Sequence, residues 1–232
     1  MISPENQKGI LYIVATPIGN LGDMTLRAIE TLKNVEVMAA EDTRNSERLL
    51  AHFGINVPLT SYYDHIEKSK ATELVKYLIE GKSIALISDA GTPLISDPGF
   101  RLVRLAVENG IDVVPIPGPS AILAALVVSG FPTDRFCFEG FLPRTSGRLK
   151  RRLDELASEP RTIIFFETPH RIMKSLPVML ESLGDRQIFI GRELTKKFEE
   201  KIRGKISEIL AILEKRTLKG EIVIVVPGIG NR

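Results

Sequence analysis

The chain has 232 residues, of which 44% are hydrophobic and 26% are charged. This composition is typical of folded globular domains and excludes wholesale disorder. The 31 basic and 29 acidic residues leave a formal net charge of +2. A protein that held nucleic acid by charge alone would be more basic, so any such contact is expected at a local patch.

A single cysteine, Cys137, excludes an internal disulfide and a cysteine-cluster metal site. His52 and His65 show no metal-ligand spacing, and we predict no metal. The N-terminus lacks a signal-peptide pattern, and the longest apolar runs, such as 121–128, are too short to span a bilayer. A cytoplasmic protein with no membrane contact is therefore expected.

Short apolar runs alternate with amphipathic stretches along the first half of the chain. The pattern predicts strands at 10–15, 35–40, 83–88 and 111–116, and helices at 23–32, 44–53, 71–80 and 100–109. Asp23 is the expected cap or first-turn acid of the first helix. This alternation favours a mostly parallel sheet that is covered by helices on both faces.

The segment 115–119, with three prolines and one glycine, interrupts this alternation. Such a segment is not expected to continue a strand or a helix interior. We place a domain boundary there, between an N-terminal α/β domain (1–117) and a C-terminal α/β domain (118–232). In the second domain the pattern predicts helices at 120–128, 149–157, 171–183 and 206–213, and strands at 135–141, 162–166, 187–191 and 222–226.

Four loops that follow predicted strands are candidate ligand sites, because ligands of open α/β sheets bind beyond the carboxyl ends of strands. Segment 16–23 carries two glycines, although it matches neither the dinucleotide-binding spacing nor a P-loop. Segment 88–99, SDAGTPLISDPG, is the strongest candidate for holding a polar cofactor. Segments 115–121 and 165–171 complete the set, and His170 is interpreted as a cap or surface residue. The alternative for each loop is an ordinary turn with helix caps.

These segments together resemble the ribosomal RNA small subunit methyltransferase I family, the ribose 2′-O-methyltransferases of the tetrapyrrole methylase superfamily. The resemblance extends over residues 9–226. The strings that carry it are VATPIGNLGD (14–23), AAEDTRNS (39–46), SDAGTPLISDPG (88–99), PIPGPSA (115–121), FEGFLPR (138–144), FFETPHRI (165–172) and GRELTKKFEE (191–200).

The resemblance implies a tetrapyrrole methylase-like pair of α/β domains with mostly parallel mixed sheets, which form a homodimer and hold S-adenosylmethionine in a cleft between the domains. It further implies transfer of a methyl group to a cytidine ribose in the decoding region of 16S rRNA, on naked RNA or on the small ribosomal subunit. By their match to the family's motifs, the expected cofactor contacts are Pro17, Asp89, Gly91, Thr92, Pro93, Ser120, Ala121, Thr168, Leu194 and Gly220. Relatives often carry Gly-Asp-Pro where this chain has Gly91-Thr92-Pro93. The resemblance therefore does not identify which carboxylate, if any, contacts the cofactor.

A basic run at 143–152 is most often a solvated helix face, and contact with phosphates is the functional alternative. Given the resemblance, the expected RNA contacts are Arg44, Arg144, Arg148, Lys150, Arg151 and Arg152.

A ribose hydroxyl becomes a good nucleophile only when a base takes its proton. Glu41, Asp42, Glu193 and Lys196 lie in the candidate loops. Lys196 is the first candidate if burial or the neighbouring cation Lys197 lowers its pKa, and Asp42 is the second. For Lys196, a phosphate contact or a surface charge is the alternative role.

Three rival functions share the fold. A precorrin-type tetrapyrrole C-methyltransferase would need a wide pocket for an acidic macrocycle, and a second relative methylates a modified protein residue. A non-enzymatic nucleotide-binding module would bind the cofactor without turnover. The segments at 39–46 and 192–196 favour the RNA branch by resemblance.

Overall fold

The computed structural model of the chain describes residues 7–230 and divides into two compact units. The first unit ends at Ser120 and the second begins at Ala121. The division therefore lies just beyond the predicted boundary at 117/118.

The first unit is built on a five-stranded parallel sheet in the order β3-β2-β4-β1-β5. Its strands are β1 (Leu11–Val14), β2 (Val37–Ala40), β3 (Leu59–Ser61), β4 (Ile84–Ile87) and β5 (Val113–Ile116). Its helices are α1 (Leu26–Lys33), α2 (Thr43–His52), α3 (Glu67–Ile79) and α4 (Phe100–Glu108). Alternate strand residues pack against helices on the two faces, so Leu86 lies in one apolar cluster and Ile87 in the other.

The connections that leave β1 and β4 run in opposite directions. β1 leads through α1 to β2 on the far side of β4, whereas β4 leads through α4 to β5 on the far side of β1. Because β1 and β4 are neighbours, the topological switch point of this sheet lies between their carboxyl ends. Ligands of open α/β sheets bind at such a point.

The structure confirms one local prediction in the first unit and corrects another. Pro115 lies within β5, in register with Ile13, as in the predicted strand at 111–116. Since β5 is an edge strand, the missing N–H of a proline leaves no ladder bond unmade. The cap of α1 is Thr25, whose Oγ1 accepts a hydrogen bond from the Ala28 N–H at 3.1 Å, while Asp23 belongs to a preceding 3₁₀ turn.

The second unit carries a mixed five-stranded sheet in the order β6-β7-β10-β8-β9. Its strands are β6 (Phe136–Phe141), β7 (Thr162–Glu167), β8 (Gln187–Arg192), β9 (Glu200–Lys205) and β10 (Ile222–Val226). β6 pairs with β7 in parallel, and the other three pairs are antiparallel. The predicted class, α/β with parallel and mixed sheets, is thus confirmed.

The helices of the second unit cover both faces of its sheet. They are α5 (Ala121–Ser129), α6 (Ser146–Glu155), α7 (Pro169–Leu183) and α8 (Ile206–Leu213). α5 packs on one face with Phe189 and Val225, and the other three helices pack on the opposite face with Phe165 and Ile224. No helix within residues 7–230 is long and apolar enough to cross a bilayer.

Candidate functional site

The loops after β1 and β4 are joined at the switch point of the first unit. The backbone N–H of Thr16 donates to the Gly91 carbonyl at 2.9 Å, and the Gly91 N–H donates back at 3.0 Å. The buried Thr16 hydroxyl donates to the Ser88 carbonyl at 3.1 Å. These bonds fix Pro17 and Asp89, both predicted cofactor contacts, in neighbouring loops.

Asp89 connects the loop after β4 to the start of α2. Its Oδ1 accepts a hydrogen bond from the Asp42 backbone N–H at 3.1 Å, and its Oδ2 accepts one from Asn45 Nδ2 at 3.0 Å. A carboxylate is favourably placed at a helix N-terminus, where backbone N–H groups have no intrahelical partner. Asp89 therefore positions α2 relative to the switch point.

Asp42, the second candidate base, is the N-cap of α2. Its Oδ1 accepts the Arg44 backbone N–H at 2.9 Å, and its Oδ2 pairs with Arg44 Nη2 at 3.1 Å. Hydrogen bonds from the side chain and backbone of Arg44 lower the pKa of Asp42, so this carboxylate is ionised at neutral pH. Arg44, a predicted RNA contact, forms an ion pair with Asp42 in this structure.

The segment Gly91-Thr92-Pro93 lies on the β5 side of the switch point. Gly91 has φ +83°, and a Cβ there would lie 3.3 Å from Ile18 Cγ2, so glycine suits this position. Thr92 Oγ1 donates to the Pro119 carbonyl at 3.4 Å, just before Ser120. Leu94 and Ser96 follow with φ values of 72° and 67°. Strained non-glycine residues cluster at ligand-binding segments.

The sequence interpretation missed Asp97, the second aspartate of SDAGTPLISDPG. Burial raises the pKa of Asp97 to about 6, with the negative charge of Asp89 adding to the effect and a hydrogen bond from Ser88 opposing it. Burial also raises the pKa of Glu41, followed by repulsion from Asp97 and Asp89. The acidic surroundings of this edge suit a cationic ligand such as a sulfonium.

A cavity of about 250 Å³ opens beside α2 in the first unit. It is lined by Pro17, Gly19, Leu21, Asn45, Ser46, Arg48, Leu49, Ser88 and Asp89.

The loops of the second unit also meet at one edge of their sheet. Ile222, the first residue of β10, is paired with Glu167 at the end of β7 and with Arg192 at the end of β8. The predicted cofactor contacts Thr168, Leu194 and Gly220 directly flank these paired ends. The parallel strand β6 also ends there and leads to Arg144.

Two of the remaining cofactor candidates are placed by packing. Leu194 is buried in the same apolar cluster as Ile122, which places Ala121, at the start of α5, near that loop. Thr168 is the N-cap of α7, and its side chain makes no capping hydrogen bond. Its hydroxyl is thereby left for another partner.

Lys196, the first candidate base, is held by two carboxylates. Its Nζ lies 2.9 Å from Glu193 Oε1 and 3.1 Å from Glu221 Oε2. Burial lowers the pKa of Lys196, but the hydrogen bonds and charges of these two glutamates outweigh it, and the pKa is raised. The lowered pKa that a lysine base requires is therefore absent from this arrangement.

Glu193 also explains the glycine at position 220. Its Oε1 accepts the Glu221 N–H at 3.0 Å, and a Cβ on Gly220 would lie 2.3 Å from Glu193 Cδ. Glu193 and Thr195 have φ values of 51° and 68°, so this loop is strained like the one at Leu94.

A buried ion pair holds the loop before Arg144. Glu167 is 2% exposed and accepts the Ser175 hydroxyl at 2.5 Å, while Arg171 Nε lies 3.5 Å from its Oε1. Arg171 Nη2 donates to the carbonyls of Leu142 at 2.6 Å and Pro143 at 2.9 Å. The strings FFETPHRI and FEGFLPR are thus joined by one polar network.

The predicted RNA-binding cations of the second unit fall into two groups. Lys150 pairs with Glu181 at 2.9 Å, and Arg152 pairs with Glu139 at 2.5 Å. Arg144, Arg148 and Arg151 are exposed, and no carboxylate of residues 7–230 lies within ion-pairing distance of them. This second group is better placed for phosphates than Lys150 or Arg152. In the same described range, no cluster of three acidic, histidine or cysteine side chains could hold a metal ion.

Solved structures with this arrangement of helices and strands include a methyltransferase and a synthase. A cobalt precorrin-4 methyltransferase matches with a TM-score of 0.70 over 98% of both chains, at 18% identity. A diphthine synthase matches with a TM-score of 0.72 over 97% of this chain and 92% of its own, at 15% identity. At these identities the likeness defines the fold alone, that of the tetrapyrrole methylase-like α/β enzymes.

The sequence profile of the Tetrapyrrole (Corrin/Porphyrin) Methylases matches residues 10–210, and the chain belongs to this family. Its cofactor is S-adenosylmethionine, the methyl donor. The chain is similar to proteins named ribosomal RNA small subunit methyltransferase I. The Escherichia coli O157:H7 protein is 50% identical over 97% of this chain and 80% of its own length. The Bacillus subtilis protein is 48% identical over 98% of this chain and 78% of its own length. The Mesorhizobium japonicum protein is 53% identical over 93% of this chain and 74% of its own length.

Proposed function

We propose that the protein transfers a methyl group from S-adenosylmethionine to the 2′-hydroxyl of a cytidine ribose in the decoding region of 16S rRNA. The observation that carries this function is similarity of 48–53% identity, over nearly the whole chain, to proteins named as methyltransferases of small-subunit ribosomal RNA. Solved structures of a cobalt precorrin-4 methyltransferase and a uroporphyrin-III-C-methyltransferase match at only 18% identity. A cytoplasmic location follows from such a substrate.

When bound, S-adenosylmethionine supplies a methyl group that is already activated by its positive sulfur. The protein's task is then to hold the reactants, because positioning alone can contribute about 7–11 kcal/mol. In the first unit we assign this holding to Pro17, Asp89, Gly91, Thr92, Pro93 and Ser120. In the second unit we assign it to Ala121, Thr168, Leu194 and Gly220.

The two candidate bases take different roles in this proposal. Asp42 is ionised, so of the two it is the group that can accept the hydroxyl proton, although its lowered pKa makes it a weak base. Lys196 is protonated, since its pKa is raised, and acts as a hydrogen-bond donor to the substrate rather than as a base. Their positions at the loop edges of their own sheets support both roles.

The RNA surface of the second unit comprises Arg144, Arg148 and Arg151, with Phe141 beside them. Phe141 ends β6 and is 52% exposed, so its ring is available for stacking on an unpaired base. Arg148 and Arg151 lie on the solvent side of α6, opposite the buried Leu149 and Leu153. Lys150, Arg152 and Arg44 contribute less, because their charges are compensated by carboxylates.

We also propose a homodimer. Large apolar side chains on α4, Phe100 at 70% and Val107 at 61% exposure, support burial of this helix in an association between copies. The oligomeric state is measured directly by sedimentation or light scattering.

A label-transfer experiment tests the function. The protein is incubated with methyl-labelled S-adenosylmethionine and small ribosomal subunits that lack this modification, with protein-free 16S rRNA and a reduced tetrapyrrole in parallel. Label is expected in 16S rRNA, at a nucleotide whose 3′ phosphodiester resists alkali, because alkaline cleavage requires a free 2′-hydroxyl. Label in the tetrapyrrole alone would establish the rival C-methyltransferase, and tight cofactor binding without label would indicate a nucleotide-binding module.

A further inference from the structure

The loop between β8 and β9 carries an exposed aromatic side chain to which no role has been assigned above. Phe198 is 67% exposed. A single exposed apolar side chain is common on protein surfaces and by itself identifies no site. Here the construction of the loop and the charges around it indicate a partner for the ring.

The backbone at Phe198 is held by the guanidinium of Arg192. Arg192 Nη2 donates to the Phe198 carbonyl at 3.2 Å, and Nη1 donates to the Lys219 carbonyl at 2.9 Å. Arg192 Nε in turn lies 2.9 Å from Glu200 Oε2. One mostly buried arginine therefore joins the loop to the segment before β10 and keeps Phe198 and Lys219 close together.

Hydrogen bonds within the loop fix the rest of its backbone. The Lys196 N–H donates to the Glu193 carbonyl at 3.0 Å, and the Glu199 N–H donates to the Lys196 carbonyl at 3.1 Å. Glu199 Oε2 accepts the Thr195 N–H at 2.7 Å. Because these bonds form two successive turns, Phe198 is presented on an ordered backbone, and a partner can bind it at little further ordering cost.

The charges around Phe198 leave two lysines uncompensated. The carboxylates near the loop, each within ion-pairing distance of a cation, are Glu193, Glu199, Glu200 and Glu221. Lys197 and Lys219 are exposed, and no carboxylate of residues 7–230 pairs with either. Lys197 Nζ lies 5.7 Å from the centroid of the Phe198 ring. We call Lys197, Phe198 and Lys219 the aromatic–basic patch.

An aromatic ring between uncompensated cations suits single-stranded RNA, whose bases stack on the ring while its phosphates contact the cations. A second copy of this chain fits the patch less well. In a two-fold dimer the same surface meets itself, which would bring Lys197 and Lys219 towards like charges.

The position of the patch on the second sheet agrees with an RNA strand. Phe141 ends β6 and Phe198 shortly precedes β9, and these are the two outer strands of the sheet. At about 4.8 Å between neighbouring strands, the two strand ends are about 19 Å apart along the loop edge. The proposed cofactor contacts Thr168 and Gly220 lie between them. A strand that crosses this edge therefore meets an aromatic ring on each side of those contacts.

We infer that the aromatic–basic patch binds an unpaired stretch of the RNA substrate beside the target nucleotide. Phe198 stacks on one base, and Lys197 and Lys219 contact phosphates. The inference deepens the proposed function and rests on its RNA substrate. Because every base has a π-face, this contact positions the strand and does not select cytidine.

Three substitutions of one residue separate stacking from other contacts. Phe198→Ala removes the ring, Phe198→Leu keeps an apolar side chain without a π-face, and Phe198→Tyr keeps the ring. Ile212→Ala removes another exposed apolar side chain of the second unit, on α8, and is the matched control.

A double variant tests the two cations. Lys197→Ala with Lys219→Ala is compared with Lys33→Ala with Lys76→Ala, which removes two exposed lysines of the first unit. For every protein the measurements are the Kd of unmodified small subunits at several salt concentrations, kcat/KM for methyl transfer, the Kd of S-adenosylmethionine, the thermal midpoint, and the mass in solution by light scattering.

Phe198→Ala and Phe198→Leu are each expected to raise the Kd of small subunits about 5–100-fold, the range for one base stacked on an aromatic ring. Phe198→Tyr and Ile212→Ala should bind as wild type does. The Lys197 and Lys219 double variant should reduce the slope of log K against log salt by about 1.4, and its control should not. Cofactor Kd, thermal midpoint and mass should stay unchanged in all variants, because the patch makes no contact without RNA.

Several results would overturn the inference. Wild-type subunit affinity in Phe198→Ala would remove the ring from the RNA surface, and full affinity in Phe198→Leu would replace stacking by a plain apolar contact. A lowered mass of Phe198→Ala with unchanged subunit affinity would assign the patch to a second copy. A loss of cofactor affinity or of thermal stability that accounts for the lost activity would make the role of Phe198 structural.

Failure of the proposed function is read separately, on the wild type. Wild type that binds small subunits without labelling them would defeat the proposed methyl transfer, while the comparison of subunit affinities still decides the role of the patch. Wild type that does not bind small subunits at all would overturn both.

Discussion

Asn45 donates a hydrogen bond from Nδ2 to Oδ2 of Asp89 across 3.0 Å, joining the first turn of α2 to the loop after β4. The other carboxylate oxygen accepts the Asp42 N–H. One aspartate therefore sets the relative position of a proposed cofactor loop and of Asp42, the proposed base.

Asp89→Ala is predicted to lower methyl transfer by about 10-fold or more, because misplacing a positioned group is costly in catalysis. Asp89→Asn should lower it less, since the amide retains an acceptor for the Asp42 N–H. Steady-state kinetics on small subunits check this order, with the exposed Asp112→Asn as control. Equal activity of Asp89→Ala and wild type would show that the link has no functional role.

Replacement of Arg171 by alanine is predicted to destabilise the second unit by about 3–5 kcal/mol, the cost of leaving a buried carboxylate unpaired. In this variant the Glu167 carboxylate loses its cationic partner, and the carbonyls of Leu142 and Pro143 lose their hydrogen-bond donor. Urea unfolding gives the free energy, with Arg151→Ala as a solvent-exposed comparison. A loss below about 1 kcal/mol would contradict the structural role of this pair.

The pKa of Asp97, raised by burial to about 6, predicts a stability change with pH. An unfolded aspartate titrates near 4, so between about pH 4 and 6 the folded protein binds more protons than the unfolded chain. The free energy of unfolding therefore falls as pH rises through this window. Asp97→Asn removes this effect and should gain about 1–2 kcal/mol relative to wild type between pH 4 and 7.5, less than the full shift because Asp97 is only partly buried and solvent screens its charge. Parallel stability curves for the two proteins would contradict the raised pKa.

Arg148→Glu with Arg151→Glu is predicted to weaken RNA binding and to flatten its salt dependence. Loss of two phosphate contacts should reduce the slope of log K against log salt by about 1.4, at roughly 0.7 per contact with single-stranded RNA. Arg27→Glu, on an exposed position of α1, is the matched charge reversal in the first unit. An unchanged slope in the double variant would remove α6 from the RNA surface.

Lys196→Arg distinguishes a cationic contact from a base. Since the pKa of Lys196 is raised, arginine should preserve its charge and retain activity within about 10-fold, whereas Lys196→Met should lose more. A pH–rate profile is a second test, because a lysine base would make the rate rise with pH through the lysine pKa, and Lys196→Arg would remove that rise. Complete inactivity of Lys196→Arg would restore the base hypothesis.

The strands and helices with strong apolar periodicity were predicted well, and the missed ones lack that signal. β9 has a single apolar residue, Ile202, because it is an edge strand with alternating exposure. β3 has only three residues. The antiparallel pairing in the second sheet depends on long-range contacts that periodicity does not encode.

The site residues were predictable as loop positions but not as chemical groups. Asp97 lies inside a string that the family resemblance identified, yet only the fold shows that it is a buried acid with a raised pKa. The compensation of Lys196 by Glu221 joins residues 25 positions apart in sequence, so no local pattern could reveal it. A lowered pKa was the condition for its role as a base, and that condition is set by tertiary contacts.

The most direct measurement is nucleoside mass spectrometry of 16S rRNA from small subunits treated with the protein and isotope-labelled S-adenosylmethionine. We expect the labelled methyl group on a single cytidine, as 2′-O-methylcytidine, in the decoding region. Label on the base, on another RNA, or on no nucleoside under conditions where the cofactor binds would contradict the proposed function.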